Sequence, residues 1–218
     1  MKKKRLFILL SSVAIIGVIG GTYAAFVASS DPIEKTVSAA SLGIDIDQQI
    51  GAVSPGEVQE TEDGVIFSGG VPGMEIPDVV TVKNTENQDA YIRVTIYKSW
   101  MTGGEKASEE DGLDVDEIDI VCPNDDWIFV QPNDDQEVLY CYYKEPVKAG
   151  ESSTPVMESF TILADSLAAN SNNYAGKGVK IEFEADGIQT IAARDAMLAE
   201  WGVNAAFSGD TLVSVEEQ

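Results

Sequence analysis

Between Val179 and Ala185 the chain alternates strictly: Val179, Ile181, Phe183 and Ala185 are apolar, while Lys180, Glu182 and Glu184 are charged. Period-two patterning of this kind puts one row of side chains on each face of an extended strand, one face buried and one wet. A longer stretch of the same type runs from Asp89 to Trp100. It carries Ile92, Val94 and Ile96 on one side and Tyr91, Arg93, Thr95 and Tyr97 on the other. Val79–Lys83 precedes it, and the intervening Asn84-Thr85-Glu86-Asn87 has the turn chemistry of a hairpin. Further strands are expected at Leu42–Ile46, Val65–Phe67, Ile118–Val121, Trp127–Gln131, Glu137–Tyr143 and Met157–Leu163. Short strands punctuated by Gly, Pro and Asn-Asp predict a mostly β fold, an antiparallel sandwich of jelly-roll type over residues 41–218.

One helix interrupts the pattern. Asp186 is placed to cap it, Ile188, Ile191, Ala192, Leu198 and Trp201 give an apolar stripe, and Gly202 can end it. The expected helix lies near 187–201 and covers part of the sandwich, with a loosely held tail from Asn204 onward.

The N-terminus reads as an export signal over residues 1–24. Lys2–Arg5 form a positive region, Leu6–Ile19 an apolar run and Gly20–Ala24 a small-residue exit, with cleavage expected between Ala24 and Ala25. The apolar run is shorter than the ~20 residues that cross a bilayer comfortably; an uncleaved anchor is the alternative reading. No cysteine stands at this junction and no LPxTG-type motif precedes Glu216-Glu217-Gln218, so lipid or wall attachment is not expected. Membrane contact is therefore expected only through the signal before cleavage.

Charge narrows the partners. The full chain carries −23, and loss of Lys2–Arg5 leaves 10 basic against 37 acidic residues, or −27. Such a surface repels phosphate backbones, so nucleic acid is not an expected partner.

Export permits a disulfide, and the two cysteines, Cys122 and Cys141, fall in two strand-like segments. They form a candidate bridge, with two buried or free thiols as the alternative. The repeated tetrapeptides Pro123-Asn124-Asp125-Asp126 and Pro132-Asn133-Asp134-Asp135 offer clustered carboxylates of the kind calcium takes. Turn geometry between strands is the stronger reading, because neither has the ligand spacing or central glycine of an EF-hand loop. No metal and no cofactor is therefore expected. Trp127, Tyr140, Tyr142 and Tyr143 suggest either a ligand platform or alternate core positions, and core packing is favoured.

No catalytic machinery is legible. The chain has no histidine, which removes Ser-His-Asp and Cys-His nucleophiles, the HExxH zinc site and histidine metal clusters. Ser68-Gly69-Gly70 and Thr102-Gly103-Gly104 lack the spacing of a phosphate loop. Acid pairs carry no information among 37 acidic residues. The chain is expected not to be an enzyme.

Several short motifs carry a family resemblance. They are Gly20-Gly21-Thr22-Tyr23-Ala24-Ala25-Phe26 at the signal junction, Val82-Lys83-Asn84-Thr85, Ala90–Val94, Tyr142-Tyr143-Lys144, Ala149-Gly150-Glu151 and Glu184–Gln189. Together they resemble the SipW-dependent exported proteins of the TasA/camelysin-like group and their clostridial-type relatives. The resemblance implies a protein secreted to the surface of a Gram-positive bacterium, with a jelly-roll sandwich and a role in biofilm matrix. It also implies self-association into fibres, or assembly with a related matrix protein, by donation of an N-terminal strand to the next subunit. A signal peptidase is the implied partner during export. The metalloendopeptidase activity attributed to camelysin-like members has no histidine ligands here to receive it.

Residues 25–40, with Phe26, Val27, Ile33 and Val37 as apolar pegs, are the candidate donor strand. The alternatives are that this segment links the signal to the first strand or pairs within its own domain. Two functions follow as expectations: a secreted structural protein, or a monomeric adhesin binding glycan or protein.

Overall fold

The computed structural model describes residues 27–30, 43–61, 64–69, 71, 73–108, 111–163 and 174–217. Among them are fourteen strands, all paired antiparallel. In chain order they are β1 (Val27–Ser30), β2 (Ile44–Ile50), β3 (Glu57–Glu60), β4 (Gly64–Ser68), β5 (Glu75–Asn84), β6 (Ala90–Thr102) and β7 (Glu105–Lys106). There follow β8 (Ile118–Val121), β9 (Trp127–Val130), β10 (Val138–Tyr143), β11 (Met157–Ile162), β12 (Gly178–Gln189), β13 (Val203–Ser208) and β14 (Thr211–Glu217). The expected mostly β, antiparallel character is what the chain adopts.

An eight-stranded sheet has the order β3-β4-β12-β6-β10-β9, with β1 added to β12 and β7 to β6. A four-stranded sheet has the order β2-β5-β11-β8, and β13 pairs with β14 as a hairpin. The Val179–Ala185 alternation lies in the spine of the larger sheet. β12 pairs with β6 along its whole length, from Gly178 opposite Met101 to Gln189 opposite Ala90. The apolar row of each strand then meets the smaller sheet. Ile92, Val94 and Ile96 of β6 and Val179, Ile181 and Phe183 of β12 share one buried cluster with Ile44, Val80, Val82, Ile118, Met157 and Phe160. Each such side chain withdrawn from water contributes about 1.5–3 kcal/mol.

The expected β5–β6 hairpin does not form, because β5 lies in the four-stranded sheet and β6 in the eight-stranded one. Asn84 turns the chain from one to the other. Fully buried, it donates its amide to the carbonyls of Gln88 (2.7 Å) and Val147 (2.9 Å) and accepts from the Glu86 N–H (3.1 Å). The turn chemistry of Asn84–Asn87 serves a corner between sheets and not a hairpin.

Pro77 stands in β5, which has neighbours on both sides, and a proline there removes a ladder donor. The register answers with a bulge: Met157 faces Val80 whereas Ser159 faces Pro77, so Asp78 and Val79 together oppose Glu158.

The other face of the larger sheet carries a second buried cluster. Tyr91, Tyr142 and Ile188 are covered there by Met197, Trp201, Val203, Ala205, Leu212 and Val215. The expected helix near 187–201 is shorter than its apolar stripe implied. β12 continues through Asp186, Ile188 and Gln189, so Asp186 caps nothing. A single helical turn, α1 (Ala193–Ala196), runs on as a π-turn over Met197–Trp201 and ends at Gly202, whose φ is +69°. Nor is the chain beyond Asn204 a loose tail: it is the β13–β14 hairpin, and it supplies a large share of that cover. No helix among the described residues is long and apolar enough to cross a membrane.

Candidate functional site

The one part of the expected donor segment that is described, Val27–Ser30, lies as β1 on the edge of the chain's own β12. Val27 faces Ile188, Ala28 faces Gly187, Ser29 faces Asp186 and Ser30 faces Ala185. The remaining expected pegs Phe26, Ile33 and Val37, and the cleavage pair Ala24 and Ala25, lie outside the described residues.

β1 shares this edge of β12 with β4. β4 takes Gly178–Glu182 and β1 takes Ala185–Ile188, so the two are arranged end to end. Close approach holds β4 in place: a Cβ on Gly64 would stand 2.0 Å from the Ile181 carbonyl oxygen, so only glycine fits. The floor of the β1 stretch is less tight but still close. Gly187 packs its bare Cα against Ile44, where an added Cβ would meet Cδ1 at 2.9 Å. The result is a strand-wide slot along Ala185–Ile188, closed at one end by β4.

Behind the slot, Asp186 accepts Arg93 Nη2 at 2.6 Å and Nε at 3.2 Å, both on Oδ2. The guanidinium lies over the rings of Tyr140 (5.3 Å) and Trp201 (5.2 Å). Burial pushes the Tyr142 phenol up to about 12, while Arg93 pulls it the other way. This is a neutralised, stacked ion pair that ties β6, β10, β12 and the π-turn together. It supplies no nucleophile or base.

The other expected site residues fall as follows. Cys122 and Cys141 are free thiols in one buried cluster, not a bridge. Cys122 Sγ donates to the Asn124 carbonyl at 3.3 Å, and Cys141 Sγ makes a 3.8 Å contact with the Leu139 carbonyl. Burial pushes the Cys141 thiol well above its ordinary value, with Cys122 adding in the same direction, so it is a poor nucleophile. Both Pro-Asn-Asp-Asp segments are turns. Asn124 Oδ1 accepts the Asp126 N–H and Asp135 Oδ1 accepts the Glu137 N–H, each at 2.9 Å. Among the described residues no group of three or more acidic or cysteine side chains could hold a metal ion. Trp127 and Tyr142 are buried and Tyr140 and Tyr143 half-buried, which is core packing.

Sequence reasoning missed Asp78. It is 1% exposed at the β5 bulge, and its two oxygens accept Gln48 Nε2 at 3.0 and 2.9 Å. Burial raises its pKa from 3.8 to about 6, and the Gln48 hydrogen bond only partly offsets this. The combination of a proline and an acid inside an otherwise apolar strand was the available signal.

A folded pKa above the unfolded one means that this group's contribution is most favourable below pH 3.8 and is lost as pH rises through 6. The ionised carboxylate then costs about 3 kcal/mol. Asp78→Asn keeps a hydrogen-bond acceptor for Gln48 and removes the charge. It is expected to raise the thermal midpoint at pH 7.5 and to leave it nearly unchanged at pH 3.5, as read by circular dichroism melts at both pH values.

Comparison with protein-family models, with curated proteins and with solved structures gives no match for this chain.

Proposed function

We propose that this chain is a secreted, non-catalytic structural protein of a Gram-positive cell surface or biofilm matrix, with its two main sheets forming a jelly-roll-like sandwich. Subunits join by N-terminal strand donation. The observation that carries this reading is β1, a four-residue strand added to the edge of β12 in a defined register. The same backbone pairing can be supplied by the β1 of a neighbour, which is the exchange that domain-swapped assemblies use. Residues 31–43 join β1 to β2 and span at most about 45 Å when extended, enough to reach an adjacent subunit. While residues 1–24 remain attached the segment is tethered, so removal of a signal acts as an assembly switch.

Like charge opposes association of chains that, without Lys2–Arg5, hold 10 basic against 37 acidic residues, or −27, so acid or divalent cations should promote it. Fibres are expected from a chain of residues 25–218 at low pH or with calcium or magnesium, and not from residues 41–218, by electron microscopy and light scattering. Equal fibre formation by both chains rejects strand donation.

The second reading is a monomeric adhesin. It is favoured by the same pairing, since a β1 retained in its own slot leaves that edge satisfied without a partner. A chain of residues 25–218 that stays monomeric under all these conditions selects it.

A further inference from the structure

β9 ends the eight-stranded sheet. Among the described residues it pairs with β10 alone, Trp127–Val130 lying against Tyr143–Tyr140. A terminal strand presents N–H and C=O groups to whatever comes alongside, and chains usually guard such edges with charges inside the strand. Of the other strands that end the two larger sheets' strand orders, β2 exposes Asp45 and Asp47, β3 exposes Glu57 and Glu60, and β8 exposes Asp119; the short added strand β1 and the hairpin strand β13 are uncharged but polar or small in composition. β9 reads Trp-Ile-Phe-Val, with no charge in it, and Phe129 is 37% exposed.

Its acids stand at the ends instead. Asp125 and Asp126 come immediately before the strand and Asp134 and Asp135 shortly after it, all four exposed. None of the four carboxylates is in an ion pair among the described residues. Lys144 beside them gives its ammonium to the Asp125 main-chain carbonyl. The arrangement is an apolar edge between two anionic turns, the first of which also holds the Lys144 ammonium. Four residues at about 3.3 Å each separate the turns by about 13 Å.

We propose that β9 is a docking edge for an extended segment of a different polypeptide, with β-branched or aromatic residues over about four positions and Lys or Arg at both flanks. The backbone ladder and Phe129 hold the middle, and the paired aspartates select the flanking cations. A cationic segment complements this edge better than a second copy of the chain, which at 10 basic against 37 acidic residues brings −27 to an edge already anionic. The proposal does not depend on the matrix role, because it concerns the opposite edge of the sheet from the β12 slot.

The probe is a fluorescent peptide with Val-Thr-Val-Thr-Val between two lysine pairs, titrated into a chain of residues 25–218. Its controls are a glutamate-flanked version and a proline-interrupted version of the same charge. Binding is expected for the lysine-flanked strand only, with amide shifts centred on Trp127–Val130. Affinity should fall about tenfold or more with Phe129→Lys, and likewise when Asp125, Asp126, Asp134 and Asp135 are all changed to Asn, which keeps the turn chemistry. Equal binding of the proline-interrupted peptide would mean charge adhesion alone and overturn the proposal. So would shifts centred on another edge, or a dimer formed through β9 that excludes the peptide. The peptide comparison on the unaltered chain decides the matter even if a variant fails to fold.

Discussion

A chain ended at Gly202 is expected to lose its cooperative unfolding transition. The missing β13–β14 hairpin places Val203, Ala205, Leu212 and Val215 in the second buried cluster, over Tyr91, Tyr142, Ile188 and Trp201. It also receives the Tyr91 hydroxyl on the Asp210 carbonyl at 2.5 Å and gives the Leu212 N–H to the Lys144 carbonyl at 2.8 Å. Val203, Leu212 and Val215 alone stabilise the fold by about 5 kcal/mol or more, before the newly wetted aromatic face is counted. That approaches the whole stability of an ordinary domain, about 5–15 kcal/mol. Urea titration followed by tryptophan fluorescence reads the outcome. A chain of residues 41–218 is the control, because it keeps every residue of both buried clusters and should retain a sharp transition. A sharp, unshifted transition after removal of the hairpin would show that it merely rests on the sheet.

Arg93→Ala should destabilise the fold by about 3–5 kcal/mol, because it strands the buried Asp186 carboxylate and removes the cation from between two rings. Exposure of the two side chains is only 16% and 9%, so water screens little of the loss. Arg93→Lys is expected to recover part of it, since an ammonium restores the charge but not the planar contact with Tyr140 and Trp201. The double change Arg93→Ala with Asp186→Ala should cost clearly less than the sum of the two singles. Strict additivity in denaturant titrations would mean that the pair is not coupled.

Strand periodicity exposed most of the sheet framework, because a half-buried strand must write its burial into every second residue. β8 was legible to the residue, and β12 carried its inward row openly. Pairing partners were less legible. Asn84–Asn87 has the chemistry of a turn, but whether a turn returns along one sheet or crosses to another is set by the buried side-chain bonds of Asn84. The end of β12 was misread because Gly187 and Asp186 look like a strand stop and a helix cap. Full-length pairing with β6 and the ion pair to Arg93 outweigh that local preference. The hairpin at 203–217 did leave a mark, the turn-forming Ser208-Gly209-Asp210 between two short stretches, with Gly209 at φ +65°. Its first strand is rich in Ala, Asn and Ser, which weakened the signal. Within the candidate site, the nearness of residues 25–40 to the signal was visible, but their register on β12 was not. Register depends on which edge β4 leaves open.

Amide hydrogen exchange at Ala185–Ile188 is the most direct measurement of the slot. In a chain of residues 41–218 this stretch should exchange faster than in residues 25–218, and an added peptide of residues 25–40 should restore its protection. Protection that is the same in both chains and unmoved by the peptide would contradict an exchangeable strand beside β12.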